Sequence, residues 1–213
     1  MDKIKLKKLT LLVVIGISYI FILKTVGSIF PGIFIGKLIL VKLTNLLSFL
    51  AVLATVMFFY DFYCEYVQKE QRRLKNATIL AIIGSVAMLF IHLKTLLFIF
   101  NLVISPNLFR SLHAGAVIPW VDSILILIFF IVLYKSILGK EKVRLEKAAL
   151  FAIIGSCLSM FIRTVVLFYY FSYGNVMWFS DLPRNLMIIF IPIYTLGFIA
   201  TIYFFLTFYK ELD

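Results

Sequence analysis

Apolar residues fall into six long runs along the chain, separated by short stretches that carry the polar and charged residues. Each run is about 18 residues or longer, which is the length that an α-helix needs to cross the hydrocarbon of a bilayer. The runs do not alternate apolar with polar residues, so the pattern argues against a β-barrel and leaves helices that satisfy their own backbone in lipid. We predict one all-α transmembrane domain with spans at 9–30, 43–60, 77–104, 121–138, 148–173 and 185–208.

The stretches between the runs contain two ambiguous segments. The first span is followed by Pro31 and Gly32, a pair typical of turns. Residues 33–41 are still mostly apolar, so they predict either an interfacial segment or an early beginning of the second span. Residues 108–119 carry little charge, and we expect a loop there before the fourth span.

The third and fifth runs resemble each other. Without a gap, residues 74–100 match residues 145–171, which lie 71 positions later. The shared residues include Ala77/Ala148, Ala81/Ala152, Gly84/Gly155 and Ser85/Ser156. The first run joins this repeat through fewer matches, at an offset of 68 positions. The repeat of about 70 residues predicts three helical hairpins, each beginning with an odd-numbered span.

Small residues recur every fourth position in the third and fifth runs, as Ala77, Ala81 and Ser85 illustrate. On a helix this spacing defines one face, and small residues let helix backbones approach closely in lipid. The stripe therefore predicts a helix-packing face. His92 lies at nearly the same angle around the helix as Ser85, so we expect its side chain to point into the bundle.

The composition supports the membrane assignment and suggests an orientation. The 213 residues are 63% hydrophobic and 15% charged, whereas a soluble domain carries about a quarter charged residues. The net charge of +11 comes from Lys and Arg clusters between spans, as in orientation signals, and not from a basic face for nucleic acid. These clusters predict cytoplasmic N- and C-termini. The abundance of Phe, Ile and Lys is typical of an AT-rich prokaryotic genome, so we expect a prokaryotic plasma membrane.

No cofactor or metal site is predicted. Cys64 and Cys157 lie in different runs, without the spacing of a metal motif, and we expect two free thiols. A haem with two histidine ligands would need two facing histidines, but His113 falls in a predicted loop. The basic beginning of the chain lacks a small-residue cleavage site, so the first run is interpreted as an uncleaved span.

Three basic residues are predicted at a similar depth in the membrane. Lys24, His92 and Arg163 each lie about 22 Å along their helix, at a rise of about 1.5 Å per residue. Ionisable groups at such depth are costly unless they are paired or hydrated, and they mark functional sites by default. Asp122 is the acidic partner that the sequence offers, and polar residues near the outer ends of spans could add hydrogen bonds. These residues are Asn45, Ser48, Arg184 and Asn185.

The leading hypothesis is an outward-facing basic cavity that binds or transports a small anionic or amphiphilic ligand, such as an anionic lipid, without catalysis. A simpler interpretation is structural: Lys24 reaches the interface, Arg163 pairs with Asp122, and His92 is neutral and hydrogen-bonded. A third is a pH-sensing His92.

Two other functional classes stay open. The protein could be an accessory, sensor or immunity-type protein that contacts other membrane proteins through its helices; this predicts a closed core. An intramembrane enzyme is a further alternative, and it would need Asp122 and His92 within hydrogen-bond reach of each other or of one water.

Overall fold

The computed structural model contains six α-helices, as the apolar runs predict. It describes residues 3–29, 38–65, 67, 71–100, 112–139, 142–173 and 184–212. The helices are α1 Lys3–Ile29, α2 Leu38–Glu65, α3 Arg72–Ile99, α4 Leu112–Ile137, α5 Val143–Tyr173 and α6 Arg184–Glu211. All six are long and apolar enough to cross a membrane, which is consistent with a polytopic membrane protein.

Several helix boundaries differ from the predicted spans. Helices α1, α2, α3 and α5 each begin five or six residues before their span, because Lys, Arg and Leu continue a helix beyond the hydrocarbon, and α4 begins nine residues before its span. The beginning of α2 at Leu38 agrees with the early beginning of the second span. The loop predicted at 108–119 is wrong over residues 112–119, which are helical. Pro119 lies inside α4, where a proline removes a single backbone hydrogen bond and is tolerated in a membrane helix.

The six helices form a closed ring. Each helix packs against its neighbours in sequence, and α1 closes the ring against α6. The faces predicted to pack are buried: Ala77, Ala81 and Ser85 of α3 are 0–2% exposed, and the matching residues of α5 are 0–6% exposed. The small-residue stripe is therefore confirmed as a packing face.

One contact recurs in the three helix pairs α1–α2, α3–α4 and α5–α6. A Cβ added to Gly16 would lie 2.6 Å from the Cβ of Ala51. A Cβ added to Gly84 would lie 2.9 Å from Oδ1 of Asp122, and one added to Gly155 would lie 2.8 Å from the carbonyl oxygen of Gly197. In each pair a glycine lets the two helices approach more closely than a larger residue would allow.

Phenylalanine rings fill the centre of the ring at the end where α1, α3 and α5 begin. We call this cluster the aromatic plug, and each of its rings is less than 2% exposed. Its members are Phe58, Phe59, Phe62, Phe129, Phe130, Phe204 and Phe208. The rings connect α2, α4 and α6 across the centre: Phe59 and Phe129 have centroids 5.0 Å apart, and Phe130 and Phe204 have centroids 4.8 Å apart, both edge to face. Such pairs each contribute about 0.5–1.5 kcal/mol.

Polar contacts tie α1 to its two neighbours at the plug end. The ammonium of Lys5 lies 2.9 Å from Oδ2 of Asp61, a residue of α2 that is 4% exposed. The ammonium of Lys7 lies 4.6 Å from the ring centroid of Tyr209 in α6, a cation–π distance. The first turns of α1 are therefore held on both sides.

Candidate functional site

A cavity of about 300 Å³ lies in the middle of the ring, and all six helices contribute to its wall. We call it the central cavity. Phe130 of the aromatic plug is one of its lining residues, so the plug forms its floor. Much of the wall is apolar, with Met88, Ile126 and Ile162 among the lining residues.

Arg163 is the positive group that α5 presents to the central cavity. Its side chain is 34% exposed, and Nη1 lies 3.7 Å from Oδ2 of Asp122 in α4. Nη1 also donates a hydrogen bond to the backbone carbonyl of Pro119, one helical turn from Asp122. All these residues line the cavity. The predicted pairing of Arg163 with Asp122 is confirmed.

The guanidinium keeps part of its hydrogen-bonding capacity. A guanidinium has five N–H donors in a planar fork. In the described part of the chain, the polar contacts of Arg163 involve Nη1 alone. Its other donors can therefore serve an acceptor placed in the cavity.

Asp122 is more deeply buried than Arg163. Its side chain is 7% exposed, and Oδ1 is buried without a hydrogen bond to any described residue. The close approach of Gly84 explains this burial, because Oδ1 lies against the α-carbon side of that glycine. Ser85, the next residue of α3, also has a buried hydroxyl without a partner among the described residues. Buried polar atoms of this kind are uncommon and mark places where water or a ligand is expected.

Several hydroxyl groups line the same cavity as the Arg163–Asp122 ion pair. Ser123 donates to the carbonyl of Pro119 at 3.1 Å, and Thr201 donates to the carbonyl of Gly197 at 2.9 Å. Ser48, Ser156 and Ser159 also line the wall. A hydroxyl that donates to its own helix can still accept a hydrogen bond, so the wall is polar near the ion pair without adding charge.

Three aromatic rings form the wall of the cavity where α1 meets α6. Phe21 of α1 stacks on Phe198 with centroids 4.0 Å apart, and it lies 5.5 Å from the ring of Tyr194. All three residues line the cavity. These rings offer an apolar segment of a ligand a flat surface to pack against.

The structure brings together part of the predicted site. His92, Asp122 and Arg163 line one cavity. Asn45 donates to the carbonyl of Val41 in its own helix and is not a lining residue, and Asn185 is exposed.

The structure does not test two of the predicted site residues. The side chains of Lys24 and Arg184 lie outside the part of the structure that is described. The described lining carries one arginine, one aspartate and one histidine, and the contribution of Lys24 and Arg184 to the site stays a prediction.

Sequence reasoning missed several lining residues. Ser85 and Ser156 were interpreted as packing residues. The hydroxyl groups at the end of each small-residue stripe could have indicated that this part of the helix faces a polar cavity. No sequence pattern pointed to four other lining groups, because their role depends on which helices meet. These are the carbonyl of Pro119 and the rings of Phe21, Tyr194 and Phe198.

The fold and the cavity define a class: a six-helix membrane protein with a central, partly polar chamber. No family model, curated protein or solved structure matches this chain. Its function is therefore argued from the geometry of the chamber.

Proposed function

We propose that this protein binds a small amphiphilic or anionic molecule in the central cavity and does not alter it chemically. The observation that carries the proposal is a guanidinium that keeps spare donors among the described residues, in a chamber that all six helices enclose. The volume of about 300 Å³ is at the lower end of the range of about 300–1,000 Å³ typical of small-molecule sites.

The chemistry of the wall favours a molecule with two unlike parts. Its acceptor group would meet the free donors of Arg163, with His92 as a further lining group. Its apolar part would lie on the Phe21, Tyr194 and Phe198 surface. Because Asp122 already offsets the charge of Arg163, a polar or singly charged head fits better than a multiply charged one.

The other functional hypotheses have less support. A protein that acts through helix contacts alone predicted a closed core, and the central cavity argues against that. An intramembrane enzyme would need Asp122 to act together with His92, whereas Asp122, the one acid among the described lining residues, pairs with Arg163. The aromatic plug favours binding over passage through the bundle, since a passage would have to displace fully buried rings.

The proposal includes a threefold architecture and an orientation. The recurring contacts of Gly16, Gly84 and Gly155 support three equivalent hairpins. Basic residues gather at the plug end, where Lys8, Arg73 and Arg144 illustrate the excess. By the positive-inside rule this end faces the cytoplasm of a prokaryotic cell, both termini are cytoplasmic, and the cavity lies towards the outside.

Native mass spectrometry of the protein released from lipid nanodiscs tests the proposed function. The wild type is expected to retain a bound molecule, and the Arg163→Leu/Asp122→Leu double variant is expected to lose it. The double variant removes both charges, which avoids leaving a buried unpaired carboxylate.

The matched control is Arg144→Leu, which removes an exposed arginine of the same helix outside the cavity. It is expected to keep the bound molecule. Spectra without any adduct in the wild type, or with an equal adduct in all three proteins, would contradict the proposal.

A further inference from the structure

We infer that the ligand is a single-chain amphiphile dissolved in the bilayer, and that it reaches the central cavity sideways between α1 and α6. The inference rests on the proposed ligand-binding function and adds the source of the ligand and its route. We call the contact of these two helices along the cavity the α1–α6 seam, defined by Ile17 and Phe21 on one side and Tyr194 and Phe198 on the other.

The α1–α6 seam is the place where the ring opens with least strain. Helices α1 and α6 are not consecutive among the six helices, so no loop joins them directly, whereas a loop joins every other neighbouring pair. Their interface is also the least extensive of the six in the described structure. Separation of α1 from α6 would stretch no connecting segment.

The seam is held firmly at one end. Near the plug, Lys7 lies over Tyr209, and Leu6 and Phe208 are fully buried. Along the cavity, Phe21 of α1 stacks on Phe198 and Tyr194 of α6 across the seam. Each aromatic pair of this kind is individually weak, so two stacks can separate without unfolding either helix. The seam is therefore expected to open along the cavity and stay closed at the plug.

Helix α6 has a bending point on the same side. Pro192 lies within α6, between its first residue and Tyr194. A proline removes the hydrogen bond to the carbonyl four residues earlier, and sharp bends in helices concentrate at such positions. The part of α6 before Pro192 can swing while the part with Tyr194, Phe198 and Phe208 keeps its place, so a bend here widens the end of the seam away from the plug.

The wall of the seam matches a lipid-like molecule. An apolar chain that enters between Phe21 and Phe198 passes from the hydrocarbon onto rings that line the cavity. Its head would then meet Arg163, on the neighbouring helix of α6. The volume of about 300 Å³ favours one short chain over a whole two-chain phospholipid.

A photoreactive fatty acid, with a diazirine at the end of its chain, is the probe for this route. It is dissolved in vesicles of phosphatidylethanolamine and phosphatidylglycerol that contain the protein, and the labelled residues are mapped by peptide mass spectrometry. The protein carries Phe21→Cys and Phe198→Cys with Cys64→Ser and Cys157→Ser, so a thiol cross-linker can join α1 to α6.

The matched control joins α5 to α6 instead, through Phe161→Cys and Phe190→Cys. These rings are 5.9 Å apart and do not line the cavity. Labelling of lipid-facing residues such as Phe90 and Phe168, each 66% exposed, measures probe in the bilayer and is expected to be equal in all samples.

The expected result is that cross-linking α1 to α6 abolishes labelling inside the cavity, that reduction of the cross-link restores it, and that the α5–α6 cross-link leaves it unchanged. Equal cavity labelling with the α1–α6 seam locked would overturn the route while leaving the proposed binding intact. If a short water-soluble diazirine acid labels the locked cavity as well as the fatty acid labels the open one, the ligand comes from the aqueous side. Labelling of lipid-facing residues alone, in every variant, would contradict the binding function itself.

Discussion

Gly84 of α3 lies directly against the carboxylate of Asp122 in α4, so that a Cβ added to Gly84 would lie 2.9 Å from Oδ1. This contact fixes the acid that pairs with Arg163, since Oδ1 on the glycine leaves Oδ2 directed at the guanidinium. A packing contact between two helices thus orients a charged group of the cavity.

Substitution of the three hairpin glycines is expected to destabilise the bundle in a defined order. Gly155→Ala and Gly16→Ala should each cost about 1–3 kcal/mol, because the added methyl meets backbone atoms that cannot move aside. Gly84→Ala should cost less, because its nearest neighbour is a side-chain oxygen that can rotate. The free energies of unfolding, measured by titration with a denaturing detergent, test this order.

The control for this series is Ile83→Ala, beside Gly84 but 55% exposed towards the lipid side. It is expected to leave stability nearly unchanged. A Gly155→Ala protein as stable as the wild type would mean that α5 and α6 do not approach as closely as described.

Removal of one member of the Arg163–Asp122 pair should cost more than removal of both. Arg163→Leu leaves a carboxylate that is 7% exposed, so we expect a loss near the lower end of the about 3–5 kcal/mol found for broken buried pairs. Asp122→Leu should cost less, since the arginine side chain is 34% exposed to the cavity. The double variant should recover much of the loss.

A double-mutant cycle on unfolding free energies measures this coupling. Additive effects of the two single substitutions would show that the 3.7 Å contact contributes no stability.

The aromatic plug should be the most stable part of the bundle. Phe129 contacts Phe59, Phe62 and Phe130 and is fully buried, so Phe129→Ala is expected to cost about 3–5 kcal/mol. Phe90→Ala, at a ring that is 66% exposed, should change the unfolding free energy little. Similar losses for both would argue that the rings of the plug are no better packed than rings that face lipid.

Chemical labelling of the two cysteine thiols tests the proposed orientation of the protein in the membrane. Cys64 is exposed and lies near the plug end of α2, whereas Cys157 is exposed near the middle of α5. A membrane-impermeant maleimide should label Cys64 in inverted membrane vesicles and not in intact cells, because the plug end is assigned to the cytoplasm.

Cys157 should stay unlabelled in both preparations, since a membrane-impermeant reagent does not enter the lipid that is expected around the middle of α5. Labelling of Cys64 in intact cells would reverse the proposed orientation.

The sequence by itself determined the number of helices, their order and the faces that pack. Helix length and hydrophobicity are local properties, so the apolar runs predicted all six helices. The four-residue spacing of Ala77, Ala81 and Ser85 defined a buried face for the same reason. His92 was predicted to point inwards from its angle to that stripe, and it lines the cavity.

The tertiary structure alone decided which of many similar residues became the plug and the cavity. Phe129 and Phe90 lie in equally apolar runs, but one is fully buried and the other faces outwards, because burial depends on which helices meet. The carbonyl of Pro119 became a partner of Arg163 only when α4 packed against α5. Local pattern fixes helices and their faces, whereas a cavity exists only where several faces leave a common space unfilled.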